Sequence, residues 1–582
     1  MPIDLQRPLA CSKSEYVNRN GSMTSLTVAE WLARTLARNN VDHVFFIDAV
    51  MRRTLVEMEQ VGIKRILVHS EKAAAYMADG YARVRSAPGL CFSQAVGAAN
   101  LAAGLQDAFL AQSPVIAITG RKVLSYRYRN AYQEVPHQPL FSAVTKFTGD
   151  VDRASDVPRV FGYAWRTALA NTPGPVHLDF DGLMGERVER GTIDAPIGSG
   201  ISPGPAPMHR TLANETELAA AIARLKGSKR LAIVAGTGAM LSNAGRELLT
   251  VAESFKAPIA TSLGARGIVP TRHPLSVGTV GNYSAAPANQ TVSEADVVLF
   301  VGCRTGDQVT LDWQVPSMET PIVHLDIDPL EIGRNYPNTV GICGDPKMCL
   351  ARLREMAGNL NRDMDFAETA ARRMDAWRAS VRPALTDNSA PIKVERLCHE
   401  IGDALPADAI LVADTGYSSI WTCTHIELNG AGQTYLRAAG SLGWSFPAAM
   451  GAQCAAPERR VLCFIGDGGF YYHLPELETA RRYKIPIVVI VNNNSGFGQS
   501  ITGIRAAQGE TPGNPDELGC FGPLNFAKIA ESFGVHGIRV ERPPEIAEAL
   551  SKAISLKEPV VIDVATDIEP RAPTPWKPVS PM

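Results

Sequence analysis

Residues 461–498 read VLCFIGDGGFYYHLPELETARRYKIPIVVIVNNNSGFG, and this stretch decides the architecture. Residues 461–465 are an apolar, strand-like run that stops at Gly466-Asp467-Gly468-Gly469-Phe470. Residues 474–484 follow with an amphipathic helical pattern, and residues 485–491 are a second, β-branched strand. That strand ends in Asn492-Asn493-Asn494-Ser495-Gly496. Strand, glycine turn, helix and strand make a βαβ unit, the building block of a parallel sheet. The 27-residue offset from Asp467 to Asn494 (494 − 467) leaves room for one helix and one strand, so both residues stand at neighbouring strand ends.

A glycine turn between a strand and a helix suits a phosphate, because the backbone can approach and helix N–H groups point at the anion. The dinucleotide fingerprint G-x-G-x-x-G and the lysine of a Walker loop are both absent. An aspartate stands there instead, and it would repel a phosphate unless a cation bridged them. Mg²⁺ takes hard oxygen ligands and is commonly shared between carboxylates and phosphates. The asparagine amides add neutral hard oxygens. Two unrelated surface turns would explain the glycines alone, but not the asparagines at this offset.

The same texture extends through the 582 residues, a length that fits three to four domains. Strand-like runs at residues 41–47, 65–69, 90–93 and 115–119 alternate with helical patterns at 73–83 and 100–111. Residues 230–235, 295–301 and 322–327 are strands of a second unit, followed by a helical stretch at 364–380. Residues 410–413, 460–466, 485–491 and 560–564 belong to the third. The expectation is an α/β protein with three parallel-sheet domains at 25–197, 209–360 and 390–568. Residues 1–24 read as a flexible arm and 569–582 as a Pro-rich tail. A Gly/Pro-rich linker is expected at 198–208.

Apolar residues are 45%, charged residues 20% and the net charge is −2, so neither nucleic acid nor an anionic membrane is an expected partner. No apolar run reaches the ~18 residues that span a bilayer. The ten cysteines form no CxxC, which argues against zinc and a disulfide scaffold. A cytoplasmic enzyme fits this composition.

The GDG … NN arrangement resembles the cofactor motif of thiamine diphosphate enzymes. That resemblance implies Mg²⁺ held by Asp467, Asn494 and the Gly496 carbonyl. It implies a diphosphate near Asp414-Thr415-Gly416, Gly468, Gly469 and Phe497, and Leu442 as the residue that bends the cofactor into a V. Such enzymes activate the cofactor with a carboxylic acid bonded to its pyrimidine ring, expected to be buried and protonatable. Ser70-Glu71-Lys72-Ala73-Ala74-Ala75-Tyr76-Met77-Ala78-Asp79-Gly80-Tyr81-Ala82-Arg83 closely resembles the segment that carries this glutamate in the acetolactate synthase and benzoylformate decarboxylase group. An isolated glutamate there would merely favour a helix N-terminus. Gly97-Ala98-Ala99-Asn100 and Ala131-Tyr132-Gln133-Glu134 are similar to that group's loops, which makes Asn100 and Gln133 site candidates. The resemblance names the domains pyrimidine-binding, central and diphosphate-binding. It also implies a homodimer or homotetramer with sites between subunits.

In the central domain, Gly236-Thr237-Gly238, residues 301–307 and residues 324–333 are similar to segments that hold FAD or ADP in relatives, with Asp326 and Asp328 at a strand end. Thr305-Gly306 departs from the Phe-Asp pair usual in the FAD binders. A second departure is residues 45–51, FFIDAVM, where relatives carry a glycine-rich turn; a changed substrate pocket is expected. Ser70 stands where relatives often have His. His473, His137 and His425 are candidate proton carriers. The expected activity is carbon–carbon cleavage or ligation on a 2-oxo acid or related carbonyl compound, through an enamine. Rivals are a 2-hydroxyacyl-CoA lyase or oxalyl-CoA decarboxylase type, with Arg571 and Lys577 of the tail closing over CoA, and a non-catalytic homologue.

Overall fold

The computed structural model describes residues 25–199, 201 and 206–578. The expected N-terminal arm, part of the 198–208 linker and the last four residues of the tail lie outside the described residues. Strands are numbered along the chain. The N-terminal unit holds β1 (Leu26–Thr27), β2 (His43–Phe46), β3 (Lys64–Leu67), β4 (Gly89–Ser93), β5 (Val115–Arg121), β6 (Phe147–Val151), β7 (Val176–Asp181) and β8 (Thr192–Ile193). The central unit holds β9 (Leu231–Ala235), β10 (Ile259–Thr261), β11 (Ser276–Thr279), β12 (Val297–Val301), β13 (Ile322–Asp326) and β14 (Thr339–Cys343). The C-terminal unit holds β15 (Ile410–Ala413), β16 (Thr434–Arg437), β17 (Val461–Gly466), β18 (Val488–Asn493), β19 (His536–Val540) and β20 (Val560–Ala565).

Each unit is a six-stranded sheet, in the orders β3-β2-β4-β5-β7-β6, β11-β10-β9-β12-β13-β14 and β16-β15-β17-β18-β20-β19. All pairings in these three sheets are parallel; among the described strands the short β1–β8 pair is antiparallel. The three expected parallel-sheet domains are therefore present. Helices cover both faces, which is why Leu231–Ala235, Val297–Val301 and Ile410–Ala413 are buried at every position.

The N- and C-terminal units share one hydrophobic core. Its seam is helix Glu71–Arg85 against helix Ser445–Ala455. The helices touch backbone to backbone: a Cβ on Gly80 would lie 2.0 Å from the Ala448 carbonyl oxygen, and one on Gly451 would lie 1.9 Å from that of Met77. A buried charge network locks the seam. Arg83 pairs with Asp79 (2.6 Å) and Asp107 (2.9 Å), and Trp444 Nε1 donates to Asp79 (2.9 Å). The central unit is pinned by Arg266, whose buried guanidinium donates to the Thr422 and Ile426 carbonyls and lies over the Tyr435 ring. No described helix is long and apolar enough to cross a membrane.

Candidate active site

In the C-terminal sheet the chain passes from β15 to β16 on one side, then crosses to β17 on the other. That reversal opens a crevice at the carboxyl ends of the strands, where doubly wound sheets bind ligands. A cleft of about 250 Å³ occupies it, lined by Thr415, Gly416, Leu442, Asp467, Gly468, Gly469, Asn494, Gly496 and Phe497 among others. Strand ladders bring these residues together: Gly466 pairs with Asn492, and Asn493 with Ala565.

Asp467 opens a short helical turn at the end of β17 and is 2% exposed. Burial pushes its carboxyl up to about 7, although the N–H groups of Gly468, Gly496 and Ser495 point at it and pull the other way. Asn494 Oδ1 accepts the Gly496 N–H (3.2 Å), which folds the loop after β18 back toward Asp467. A buried carboxylate, an amide oxygen and a loop carbonyl side by side form a hard-oxygen donor set with no cationic side chain lining the cleft, and this set fits Mg²⁺. Gly468 must be glycine because a Cβ would meet the Phe497 ring at 2.5 Å. Gly416, at φ +64°, precedes helix Tyr417–His425, whose N-terminus faces the cleft.

Asp414 has a different task from the one expected. Its carboxylate accepts from Thr415 N (2.9 Å), Gly443 N (3.0 Å), Ser445 N (3.1 Å) and Ser445 Oγ (2.7 Å), and it is fully buried. It therefore holds the loop that carries Leu442 and does not line the cleft. From the N-terminal unit, Asp107 fixes the same loop through the N–H groups of Ala439, Gly440 and Ser441.

The second constellation sits at the carboxyl edge of the N-terminal sheet. Ser70 caps helix Glu71–Arg85 by accepting the Ala73 N–H (3.1 Å). Glu71 Oε2 accepts from Asn100 Nδ2 (3.1 Å), and Gly97 has no side chain because a Cβ would lie 2.4 Å from Glu71 Oε1. Gln133 adopts φ +58°, and its Oε1 is buried without a partner. Contrary to the expected burial, Glu71 is only half-buried in the single chain and Asn100 is exposed. Val96, next to Gly97, and Tyr126, Tyr128, Tyr132 and Val135 of the loop that carries Gln133 are exposed as well. Glu71, Asn100 and Gln133 do not line the diphosphate cleft of their own chain.

None of the three candidate histidines lines that cleft either. His473 packs edge-on against Tyr76 in the seam, and burial with nearby Lys72 lowers it to about 4. His425 is buried beside Trp377 and Trp421 and is also lowered to about 4, chiefly by burial. His137 Nδ1 bonds Asp179 (3.1 Å) in a buried network with Thr119 and His177.

The cleft also contains residues that sequence reasoning passed over. Tyr417, Ser418 and Trp421 follow Gly416 directly on the helix and were within reach of the motif. Tyr283 arrives from the central unit, and Ile568 and Pro570 from the start of the tail. The tail is tied down by Arg505–Glu569 (2.9 Å) and by Asn289 Nδ2 to the Trp576 carbonyl (3.0 Å), with Arg571 and Lys577 exposed. The loop after β2 buries Val50 and Met51 in the domain core, Met51 lying against Gly185, and leaves Asp48 exposed beside Arg52 (3.8 Å). Between the N-terminal and central units a smaller cleft of about 40 Å³ borders Gln112, Thr172, Gly238, Gly302, Arg304 and Asp326, the last raised to about 6 by burial. The Gly236 turn packs on the Gly302 carbonyl, with 2.1 Å for a Cβ, a strand-end contact close enough to require glycine. No nucleotide is assigned there.

Comparison with known proteins bears on this geometry. The thiamine pyrophosphate enzyme N-terminal, central and C-terminal domain families match residues 26–140, 218–353 and 414–564. A probable acetolactate synthase large subunit of Methanocaldococcus jannaschii is 33% identical over 515 residues, covering 86% of this chain and 85% of that one. One of Methanococcus aeolicus is 31% identical, covering 93% and 92%. The acetolactate synthase large subunit of Parasynechococcus marenigrum is 29% identical, covering 93% and 87%. The chain belongs to the thiamine diphosphate-dependent enzymes. Within them it is a member of the acetolactate synthase superfamily, with all three of its domains.

Proposed function

We propose that this enzyme makes or breaks a carbon–carbon bond next to the carbonyl of a 2-oxo acid, using thiamine diphosphate and Mg²⁺ in a homodimer or homotetramer. The observation that carries the reading is the convergence of Asp467, Asn494 and Gly496 on one cleft, with Glu71 held by Gly97 and Asn100 at an exposed edge. When bound, thiamine diphosphate supplies a nucleophilic thiazolium carbon that also stabilises the charge left by bond cleavage.

The protein's own groups divide the remaining work. Asp467, Asn494 and the Gly496 carbonyl hold the metal. The N-terminus of helix Tyr417–His425 and the backbone at Gly468 and Gly469 take the diphosphate. Leu442, fixed from both domains by Asp414 and Asp107, shapes the cofactor. Glu71 holds a proton at the pyrimidine ring nitrogen. Since Glu71 does not line its own chain's cleft, it serves the cleft of a second copy, and the aromatic loop around Gln133 lies in the contact between them.

The test is product formation from 2-oxo acids by purified protein stripped of cofactor. Carbon dioxide release that requires both thiamine diphosphate and Mg²⁺ is expected. Release that is indifferent to either addition, or absent with every 2-oxo acid, contradicts the reading.

A further inference from the structure

Two histidines and an aspartate meet on a buried face of the N-terminal sheet, away from the diphosphate cleft. Along β7, Val176, Leu178 and Phe180 enter one hydrophobic core, and His177 and Asp179 alternate onto the opposite face. Asp179 is the ladder partner of Thr119 in β5, and His177 that of Thr148 in β6. Helix His137–Ser142 closes over them, with Phe141 stacked on the His177 ring at 3.5 Å and His137 Nδ1 3.1 Å from Asp179 Oδ1. His137, His177, Asp179 and Thr119 are each at most 3% exposed. They come from three separate elements, so no short spacing in the sequence announces them.

The two imidazole nitrogens and the carboxylate oxygen lie within 4.8 Å of one another. Thr119 Oγ1 sits 2.7 Å from His177 Nε2, 2.7 Å from Asp179 Oδ1 and 3.4 Å from His137 Nδ1. In a tetrahedral zinc site with bonds of about 2.0–2.1 Å, neighbouring ligand atoms stand about 3.3 Å apart. Outward shifts of a few tenths of an ångström would therefore seat an ion. Around the group, Arg121 and Arg187 face four carboxylates, those of Asp150, Asp152, Asp179 and Asp181, so negative charge is in excess. The far nitrogen of His177, Nδ1, has Thr148 Oγ1 at 2.8 Å, the oxygen partner that orients a metal-ligating imidazole. Without an ion, one set of hydrogen bonds satisfies an ionised Asp179. Thr119 and His137 Nδ1–H donate to it, His177 Nε2–H donates to Thr119, and Thr148 donates to His177 Nδ1.

We propose that His137 Nδ1, His177 Nε2 and Asp179 Oδ1, with Thr119 Oγ1, bind a divalent transition metal of the zinc class as a closed structural site. Imidazole and carboxylate together suit Zn²⁺, and structural zinc sites keep no position open to solvent, so full burial of the ligands is their normal state. The ion loads as the chain folds. It turns the last bond round: His177 gives its Nε2 lone pair to the metal, and its Nδ1–H donates to Thr148. Its effect is to tie helix His137–Ser142 to β5 and β7.

The experiment measures metal content and melting temperature of the full chain, purified without chelator, and again after refolding from denaturant and chelator with or without Zn²⁺. About one Zn²⁺ per chain is expected, kept by Asp467→Ala and lost from His137→Phe and Asp179→Asn. Refolding with Zn²⁺ should raise the melting temperature of the wild type and not of those two variants. If either variant fails to fold, Thr148→Val retains every ligand and should weaken Zn²⁺ binding about 10- to 100-fold by removing the acceptor behind His177. A wild type that neither retains Zn²⁺ nor melts higher with it overturns the proposal and leaves a hydrogen-bonded network only. Zn²⁺ that persists in His137→Phe and Asp179→Asn, that is lost from Asp467→Ala, or that binds Thr148→Val with wild-type affinity overturns it as well.

Discussion

The N- and C-terminal units have the same sheet size and parallel topology, yet their functional edges differ. At the C-terminal edge, Asp467 is buried with backbone N–H groups pointing at it, and the Leu442 loop is fixed through its own N–H groups by the Asp414 and Asp107 carboxylates of the same chain. At the N-terminal edge, Glu71 and Asn100 hold one another, with Glu71 half-buried and Asn100 exposed. One edge is finished within the chain and the other is not. On the reading proposed above, the fold is complete within one chain while the catalytic constellation is completed by a second copy.

On the finished edge the expected effect falls on metal affinity. Asp467→Ala removes a buried metal ligand and should weaken Mg²⁺ binding roughly 10²- to 10³-fold, by analogy with truncating one member of a buried charge pair. Titration of Mg²⁺ in the presence of thiamine diphosphate checks it; unchanged affinity would mean that the cleft is not the metal site. The open edge should respond in the opposite currency. Glu71→Gln should leave Mg²⁺ and cofactor affinity near wild type while lowering kcat by about 10²- to 10⁴-fold, the range of a lost general acid–base group. Equal loss of binding and turnover would erase the distinction between the two edges.

The smallest effect concerns the seam that joins them. His473 in the seam and His425 in the C-terminal core are lowered to about 4 by burial, against about 6.5 in the unfolded chain. Between those values the unfolded chain binds protons that the folded one refuses. Stability is therefore full above pH 6.5 and declines as the pH falls toward 4, by about 1–3 kcal/mol for each histidine. Asn in place of His473 should flatten this part of the pH profile of the melting temperature; an unaltered profile would show that the seam histidine does not contribute.

Much of this was legible in residue order, and the exceptions have physical causes. Interior strands such as Val297–Val301 and Val461–Gly466 are apolar at nearly every position and announce themselves. Five of the six edge strands do not: Thr434-Tyr435-Leu436-Arg437 and His536-Gly537-Ile538-Arg539-Val540 pair on one side only and stay polar. The strand expected at 485–491 runs instead from Val488 to Asn493. Pro486 cannot donate to the ladder at its start, and the asparagine backbones go on pairing with β20 at its end. The cofactor motif was readable because a single βαβ unit carries it. The role of Asp414 was not, because its partners are N–H groups of a loop about thirty residues away, and Tyr283 reaches the cleft only through tertiary packing. None of the three histidines lines the cleft of its own chain, and for His473 proximity in sequence to a glycine turn says nothing about which side of the sheet its ring packs on.

The measurement closest to the central claim is complementation between two inactive variants. Glu71→Gln spoils the open edge and Asp467→Ala the finished one. If each site joins Glu71 of one copy to the Asp467 cleft of another, a mixed dimer has one intact site and one doubly damaged site. Unfolding, mixing and refolding the two in equal amounts should restore about a quarter of wild-type activity, since half of the dimers are mixed and each recovers one of two sites. Activity that stays at the level of the separate variants, in a mixture shown by mass to contain mixed dimers, would place the whole site within one chain and contradict the account.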